Sequence, residues 1–401
     1  MKEISEKIDQ LLTRRVVEVL PSRELFRQEL KSGKKISLYI GVDPSSPIIH
    51  IGHAVALKKL REFQELGHHV ILLIGDFTGR IGDPSGRTVE RKPLTHPEVL
   101  ENAKTYKEQA AKILDFNGKN PVEIKFNGEW LDKLTFKDVI QVAAHFTVQQ
   151  MIERDMFQTR LAEGKPIGLH EFLYPLMQGY DSVAMNVDLE VGGTDQTFNM
   201  MAGRALMSNF RHKEKFVLTV PLLEGLDGRK MSKSYGNVIG LDEKPEEMYG
   251  KVMSLKDELI IKYFDLVTDV PQEEVAKMAT QLKLEAVNPM ELKKNLAFQI
   301  VKEFHSEEEA KKASAEFEKV FQKSEVPTEI AEVEIKKEKL SLIDLLIETK
   351  LSISRSEARR LIEQGGVEVN QKKIINPFEE ISVEPGLVLR AGKRNFVRVL
   401  K

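Results

Sequence analysis

Chemistry is best supported between Tyr39 and His53, where the chain reads Y-I-G-V-D-P-S-S-P-I-I-H-I-G-H. His50 and His53 stand three apart, a spacing that puts two imidazoles on one face of a helical turn. Each can donate to an oxygen on which negative charge grows. Gly52 between them leaves room for a flat ring against the backbone. Alone, two histidines at a helix start are more often a surface feature than a site. Far downstream, however, Gly228-Arg229-Lys230-Met231-Ser232-Lys233-Ser234 places two lysines in a Gly- and Ser-rich loop. Histidines at a helix start and lysines in a loop are groups able to donate to phosphate oxygens.

Three further groups could recognise a polar ligand. In F-L-Y-P-L-M-Q-G-Y-D (172–181), Tyr174, Gln178 and Asp181 share one helical face. Apolar neighbours Phe172, Leu173, Leu176 and Met177 argue that this face is partly buried, and a buried polar stripe needs partners. Asp83, locked between Gly82 and Pro84, offers a fixed carboxylate to an ammonium group, although the glycines around it also suit a plain connector. Gly192-Gly193-Thr194-Asp195-Gln196 puts Asp195 within reach of a ribose or an ammonium.

These groups need a frame. Ile36–Val42 is an apolar, β-branched run that reads as a buried strand, and 43–47 carries turn chemistry. A helix from near His50 follows, with Ala56, Leu60 and Phe63 at helical spacing. His69–Ile74 is a second, continuously apolar strand of the parallel kind. Strand, turn and helix N-terminus in series form a natural phosphate site, at the carboxyl edge where open α/β sheets bind ligands. Val122–Phe126, Val187–Val191 and Phe216–Leu223 read as further strands. Helices are predicted within Met1–Lys31 and over Val99–Leu114, Phe136–Thr147 and Gln149–Ala162. The expected class is α/β, with a Rossmann-like parallel sheet.

A chain of 401 residues suggests two or three domains. Sixty basic against 62 acidic side chains leave a net charge of −2, so any RNA contact must come from local patches. Without cysteine there is no disulfide and no cysteine-ligated metal. Met1–Gln10 lacks the apolar core of a signal peptide, and no apolar run approaches the ~20 residues of a membrane span. A soluble cytoplasmic enzyme with no membrane partner is expected. Residues 1–245 are assigned to the catalytic domain, 246–322 to a helical domain, 323–339 to a linker and 340–401 to a small α+β module. In the module, Ser354-Arg355-Ser356-Glu357 is a capping box opening a helix that stops at Gly365-Gly366. Ser341–Lys401 holds eleven basic and eight acidic residues, net +3.

"HIGH" at 50–53 followed by "KMSKS" at 230–234 resembles the signature pair of class I aminoacyl-tRNA synthetases. With "LYIGVDP", "GDPSG", "YPLMQGYD" and "GGTDQ", residues Tyr39–Ser234 resemble the catalytic half of the tyrosyl-tRNA synthetase family, in its bacterial KMSKS subtype. The resemblance implies activation of L-tyrosine by ATP, with Mg2+ accompanying the nucleotide and no protein-bound metal, and then transfer to tRNA(Tyr). It implies contacts of Tyr39 and Asp181 with the phenol, and of Asp83, Tyr174 and Gln178 with the α-ammonium. Asp43, Gly193, Asp195 and Gln196 match positions around the ribose and adenylate. Ser45 stands where some relatives carry threonine. His50, Gly52, His53, Lys230, Met231, Ser232 and Lys233 would meet ATP, His50, His53, Lys230 and Lys233 acting catalytically. A homodimer is expected, as is an anticodon-side role for the helical domain. The module resembles an RNA-binding unit shared by a ribosomal small-subunit protein and several RNA-modifying enzymes. That places Arg355, Arg359, Arg360, Lys372 and Lys373 against tRNA phosphates. Two rivals stand beside this reading: a tryptophan-specific synthetase, and a non-catalytic RNA-binding protein that keeps the shape.

Overall fold

The computed structural model describes residues 2–85, 94–231, 235–319, 330–392 and 395–400. Ser232, Lys233 and the end of the GDPSG motif lie outside them. Two compact units divide the chain, Met1–Ala310 and Lys311–Lys401.

The first unit is built on β1 (Glu18–Leu20), β2 (Ser37–Val42), β3 (His69–Ile74), β4 (Glu123–Phe126), β5 (Leu189–Gly193) and β6 (Phe216–Val220). Among the described residues they form one sheet in the order β1-β6-β5-β2-β3-β4. Strands β2 to β6 run parallel, while β1 lies antiparallel to β6 with Glu18 opposite Thr219. Val70–Ile74 of β3 are all buried, which explains the absence of alternation along that strand. The helix Ile51–Glu65 crosses from β2 to β3 and buries Val55, Leu60 and Phe63, each worth roughly 1.5–3 kcal/mol.

Some elements depart from expectation. The segment Met1–Lys31 holds helices Lys2–Leu11 and Arg23–Lys31 with β1 between them, and three residues are too few to carry a strand pattern. Just ahead of β1, Arg14 Nη2 donates to the Thr268 and Val270 carbonyls, each at 2.8 Å, and Arg15 Nη2 to Thr268 at 2.6 Å. The helix predicted over 149–162 is broken into Val148–Ile152 and Asp155–Ala162. Arg154 between them is extended (ψ 130°), which sends its guanidinium to Ser85 Oγ at 2.8 Å. The predicted helix 99–114 likewise splits into His96–Ala103 and Tyr106–Ala110. The helix Leu169–Met185 keeps Pro175 inside and ends at Asn186 in the left-handed region (φ 52°). Beyond β6 the chain is largely helical, and Pro245–Met253, Ile260–Val267, Gln272–Lys283 and Pro289–Phe304 belong to the first unit.

The second unit contains β7 (Ala331–Glu334), β8 (Lys339–Ser341), β9 (Val367–Val369), β10 (Lys372–Lys373), β11 (Glu380–Ser382), β12 (Val388–Ala391) and β13 (Asn395–Leu400). Their sheet order is β10-β9-β12-β13-β7, with β11-β8 as a separate pair. Strand β7 falls inside the stretch read as linker. It pairs parallel with β13, and the alternation of Val333 and Ile335 onto the core explains why. Helices Leu342–Glu348 and Arg355–Glu363 pack Leu345, Leu346, Ala358 and Ile362 onto Val367, Leu389 and Val399.

Candidate active site

One cavity of about 320 Å3 opens at the carboxyl ends of β2, β5 and β6. Its wall gathers Asp43, His50, Gly52, His53, Asp83, Tyr174, Gln178, Asp181, Gly193, Asp195, Gln196, Lys230 and Met231 from segments far apart in sequence. A larger cleft, of about 740 Å3, holds none of the predicted residues; Arg15, Lys58 and Arg61 on its wall are paired with Glu62, Asp269, Glu303 and Glu65. No group of three or more His, Cys, Asp or Glu converges on a common metal position among the described residues.

One side of the cavity is a set of linked polar contacts. Tyr174 donates from its hydroxyl to Asp43 Oδ2 at 2.8 Å, and Thr78 Oγ1 to Asp43 Oδ1 at 2.7 Å. Gly75 makes that second bond possible, since a Cβ there would lie 2.1 Å from Asp43 Oδ1. Burial, then Asp43 and Asp83, raise the Tyr174 phenol well above its usual range. Asp83 accepts from Gln196 Nε2 at 2.7 Å and from the Ser85 backbone at 2.9 Å. Asp181 accepts from Trp130 Nε1 at 2.8 Å and from Asn127 Nδ2 at 3.3 Å. Burial lifts the Asp181 carboxyl well above the carboxylate range, against the opposing pull of those two donors.

Tyr39 is the exception. It does not line the cavity; it is fully buried, and its hydroxyl stands 2.9 Å from Ser182 Oγ. A buried phenol without a partner would cost about 1–3 kcal/mol, and Ser182, itself held by Lys215 Nζ at 2.8 Å, supplies one. Ser45 also stands apart, exposed and off the cavity wall.

On the opposite side, His50 is the N-cap of the helix Ile51–Glu65, with His53 at its third position. The ring centroids are 3.9 Å apart, and His53 Nδ1 accepts from the His50 backbone N–H at 3.2 Å. At Gly52 a Cβ would sit 3.0 Å from the His50 ring and 3.3 Å from Met231 Sδ, so a side chain there would crowd both. Lys230 is half exposed and pairs with Asp195 Oδ2 at 3.0 Å. The cavity therefore sets carboxylates suited to a cation on one side and nitrogen donors suited to an anion on the other.

In the second unit, Ser354 Oγ accepts from the Glu357 backbone at 3.2 Å. The return half of the predicted capping box is displaced: Glu357 accepts from Ile353 N and Ser352 Oγ instead. Arg355 pairs with Asp344 and Arg359 with Glu363 (2.8 Å), while Lys372 and Lys373 are exposed on β10.

Sequence reading missed Thr78, Asn127, Trp130, Ser182, Glu190 and Lys215. Glu190 carried a usable signal, a carboxylate in the apolar run V-D-L-E-V. Asn127 looked like half of an Asn-Gly turn, and Trp130 had no nearby motif to mark it.

A family model described as tRNA synthetases class I (W and Y) matches residues 31–322, and one described as the tyrosine–tRNA ligase SYY-like C-terminal domain matches 316–399. Sheet, cavity and paired motifs thus define a class I aminoacyl-tRNA synthetase. Tyrosine–tRNA ligase of Thermotoga maritima is 52% identical, across 97% of this chain and 96% of that protein. That of Moorella thermoacetica is 48% identical, across 99% and 96%. The chain belongs to the tyrosine–tRNA ligase family. Its fold resembles that of a C-terminally truncated mitochondrial tyrosyl-tRNA synthetase of Aspergillus nidulans (TM-score 0.67, 23% identity, 80% of this chain and 99% of that one). It also resembles the Archaeoglobus fulgidus enzyme complexed with L-tyrosine (TM-score 0.61, 24%, 78% and 99%).

Proposed function

We infer that this protein is an ATP-dependent tyrosine–tRNA ligase. The observation that carries the reading is a single cavity bearing Asp83 and Asp181 on one side and His50, His53 and Lys230 on the other. Tyrosine lies with its α-ammonium against Asp83, Tyr174 and Gln178 and its phenol toward Asp181. Its carboxylate attacks the ATP α-phosphate in line, and pyrophosphate leaves. His50 and His53 donate to phosphate oxygens, and Lys230 and Lys233 stabilise the leaving pyrophosphate as charge develops. Mg2+ enters with ATP as part of the substrate. Tyr39 acts from behind the wall, through Ser182, instead of touching the phenol.

Transfer to tRNA uses Arg355, Arg359, Arg360, Lys372 and Lys373 as phosphate contacts. The protein acts as a cytoplasmic homodimer. Phe136 (82% exposed) and Val148 (64%), on short helices of the segment between β4 and β5, support a subunit contact there. No helix among the described residues is long and apolar enough to cross a membrane. ATP–pyrophosphate exchange run with each standard amino acid tests the reading. Stimulation by tyrosine is expected, and stimulation by tryptophan alone, or by none, would overturn it.

A further inference from the structure

Glu190 lies on β5 with only 1% of its surface exposed, yet it reaches the cavity wall. One carboxylate oxygen, Oε1, accepts from Gln178 Nε2 at 2.9 Å. The other forms an ion pair with Lys215, which is also wholly buried. Lys215 Nζ further donates to Ser182 Oγ, which meets the Tyr39 hydroxyl. The resulting chain, Gln178–Glu190–Lys215–Ser182–Tyr39, joins β2, β5, the helix Leu169–Met185 and the residue before β6. None of the activation steps above uses Glu190 or Lys215.

We propose that Glu190 is a positioning residue that fixes which end of the Gln178 amide faces the amino acid, with Lys215 as the counter-ion that lets it be buried there. A side-chain amide has a donor end and an acceptor end. An ionised carboxylate only accepts, so Glu190 can hold the NH2 end and no other. The acceptor Oε1 of Gln178 is then left for the cavity, the polarity an α-ammonium requires. In the flipped orientation two N–H donors would meet that cation, and Glu190 would face a carbonyl oxygen. Lys215 is equally necessary, because a buried carboxylate without a partner is strongly unfavourable beside Asp181. The inference rests on an amino acid being the substrate of this cavity, and it is independent of which side chain that amino acid carries.

The test separates the ammonium from the rest of the ligand. Full-length variants are assayed by ATP–pyrophosphate exchange for the tyrosine KM and kcat. The inhibition constant of 3-(4-hydroxyphenyl)propanoate, tyrosine without its ammonium, is measured in parallel. Glu190→Leu with Lys215→Met removes both charges and the acceptor. Its tyrosine KM should rise about tenfold or more, with kcat and the analogue's inhibition constant each within about threefold of wild type. Glu190→Gln with Lys215→Met retains an acceptor but adds a donor end that can hold either orientation, so its tyrosine KM should fall between the wild-type and leucine-variant values. Glu190→Asp keeps the pair with Lys215 but draws the acceptor back by one methylene, so it should repeat the KM effect should the leucine variant not fold. Equal weakening of tyrosine and of the analogue would overturn the proposal, as would an unchanged tyrosine KM in whichever of the two variants folds. A wild-type protein with no amino-acid-dependent exchange would instead overturn the functional reading itself.

Discussion

The two sides of the cavity are built differently. On the amino-acid side, Asp43, Asp83, Asp181 and Glu190 each accept from at least one neighbouring side chain, so the recognition geometry is held by the protein itself. Opposite, the one described lysine, Lys230, is half exposed and pairs with a single carboxylate, Asp195. The first arrangement favours discrimination, because an ill-matched ligand leaves buried groups unpaired; rejection of phenylalanine by a tyrosyl-tRNA synthetase is itself the known example of that effect. The second favours contacts that form as charge develops, which raise kcat without tightening ground-state binding.

Replacing Lys230 with alanine should give the largest effect. Stopped-flow adenylate formation should slow by about 10²–10³-fold, while the tyrosine dissociation constant stays within about twofold. A weakened dissociation constant with an unchanged rate would erase the contrast between the two sides. Removing residues 320–401 should leave exchange nearly intact and lower tRNA charging by about a hundredfold, with a flatter salt dependence of tRNA binding. The cut precedes β7, because a break at Leu340 would leave that strand without its partner β13. Asp181→Asn should act on the amino-acid side alone. Trp130 and Asn127 aim donors at both oxygens, so an amide nitrogen in place of one leaves a donor unmet; tyrosine KM should rise about tenfold in steady-state exchange, with a smaller change in kcat. The smallest effect is expected from Ser354→Ala. Losing the N-cap of the arginine-bearing helix should destabilise the second unit by about 1 kcal/mol in urea titrations and leave exchange unchanged.

What was legible in the sequence divides along the same line. Strands β2, β3 and β6 were readable as compact apolar or β-branched runs, and β4 and β5 as short stretches in which apolar residues alternate with charged ones. Tyr174, Gln178 and Asp181 were readable because a helical period places them on one face, and the fold keeps that face on the cavity. The partner of the Tyr39 hydroxyl was not legible, because Ser182 lies 143 residues downstream. Shorter separations also hid the Glu190–Lys215 pair, 25 residues apart, and the contact of Arg154, at the helix break, with Ser85, 69 residues away. Local patterns report which way a backbone runs; which buried polar groups meet is decided by chain crossings that no window of sequence contains.

Strand β1 and the arginines ahead of it bear on the order in which the molecule can be completed. β1 finds its ladder at residues 217–219, and Arg14 and Arg15 find their carbonyl partners at 265–270. During synthesis, β1 cannot complete its ladder until about 200 further residues have followed, and Arg14 and Arg15 cannot reach their carbonyl partners until about 250 have. The central parallel strands β2 and β3 can associate long before that, with the helix Ile51–Glu65 between them. Closure of the β6 edge is therefore a late, non-local event, of the kind that slows folding and leaves an unpaired strand edge open to wrong partners while it waits.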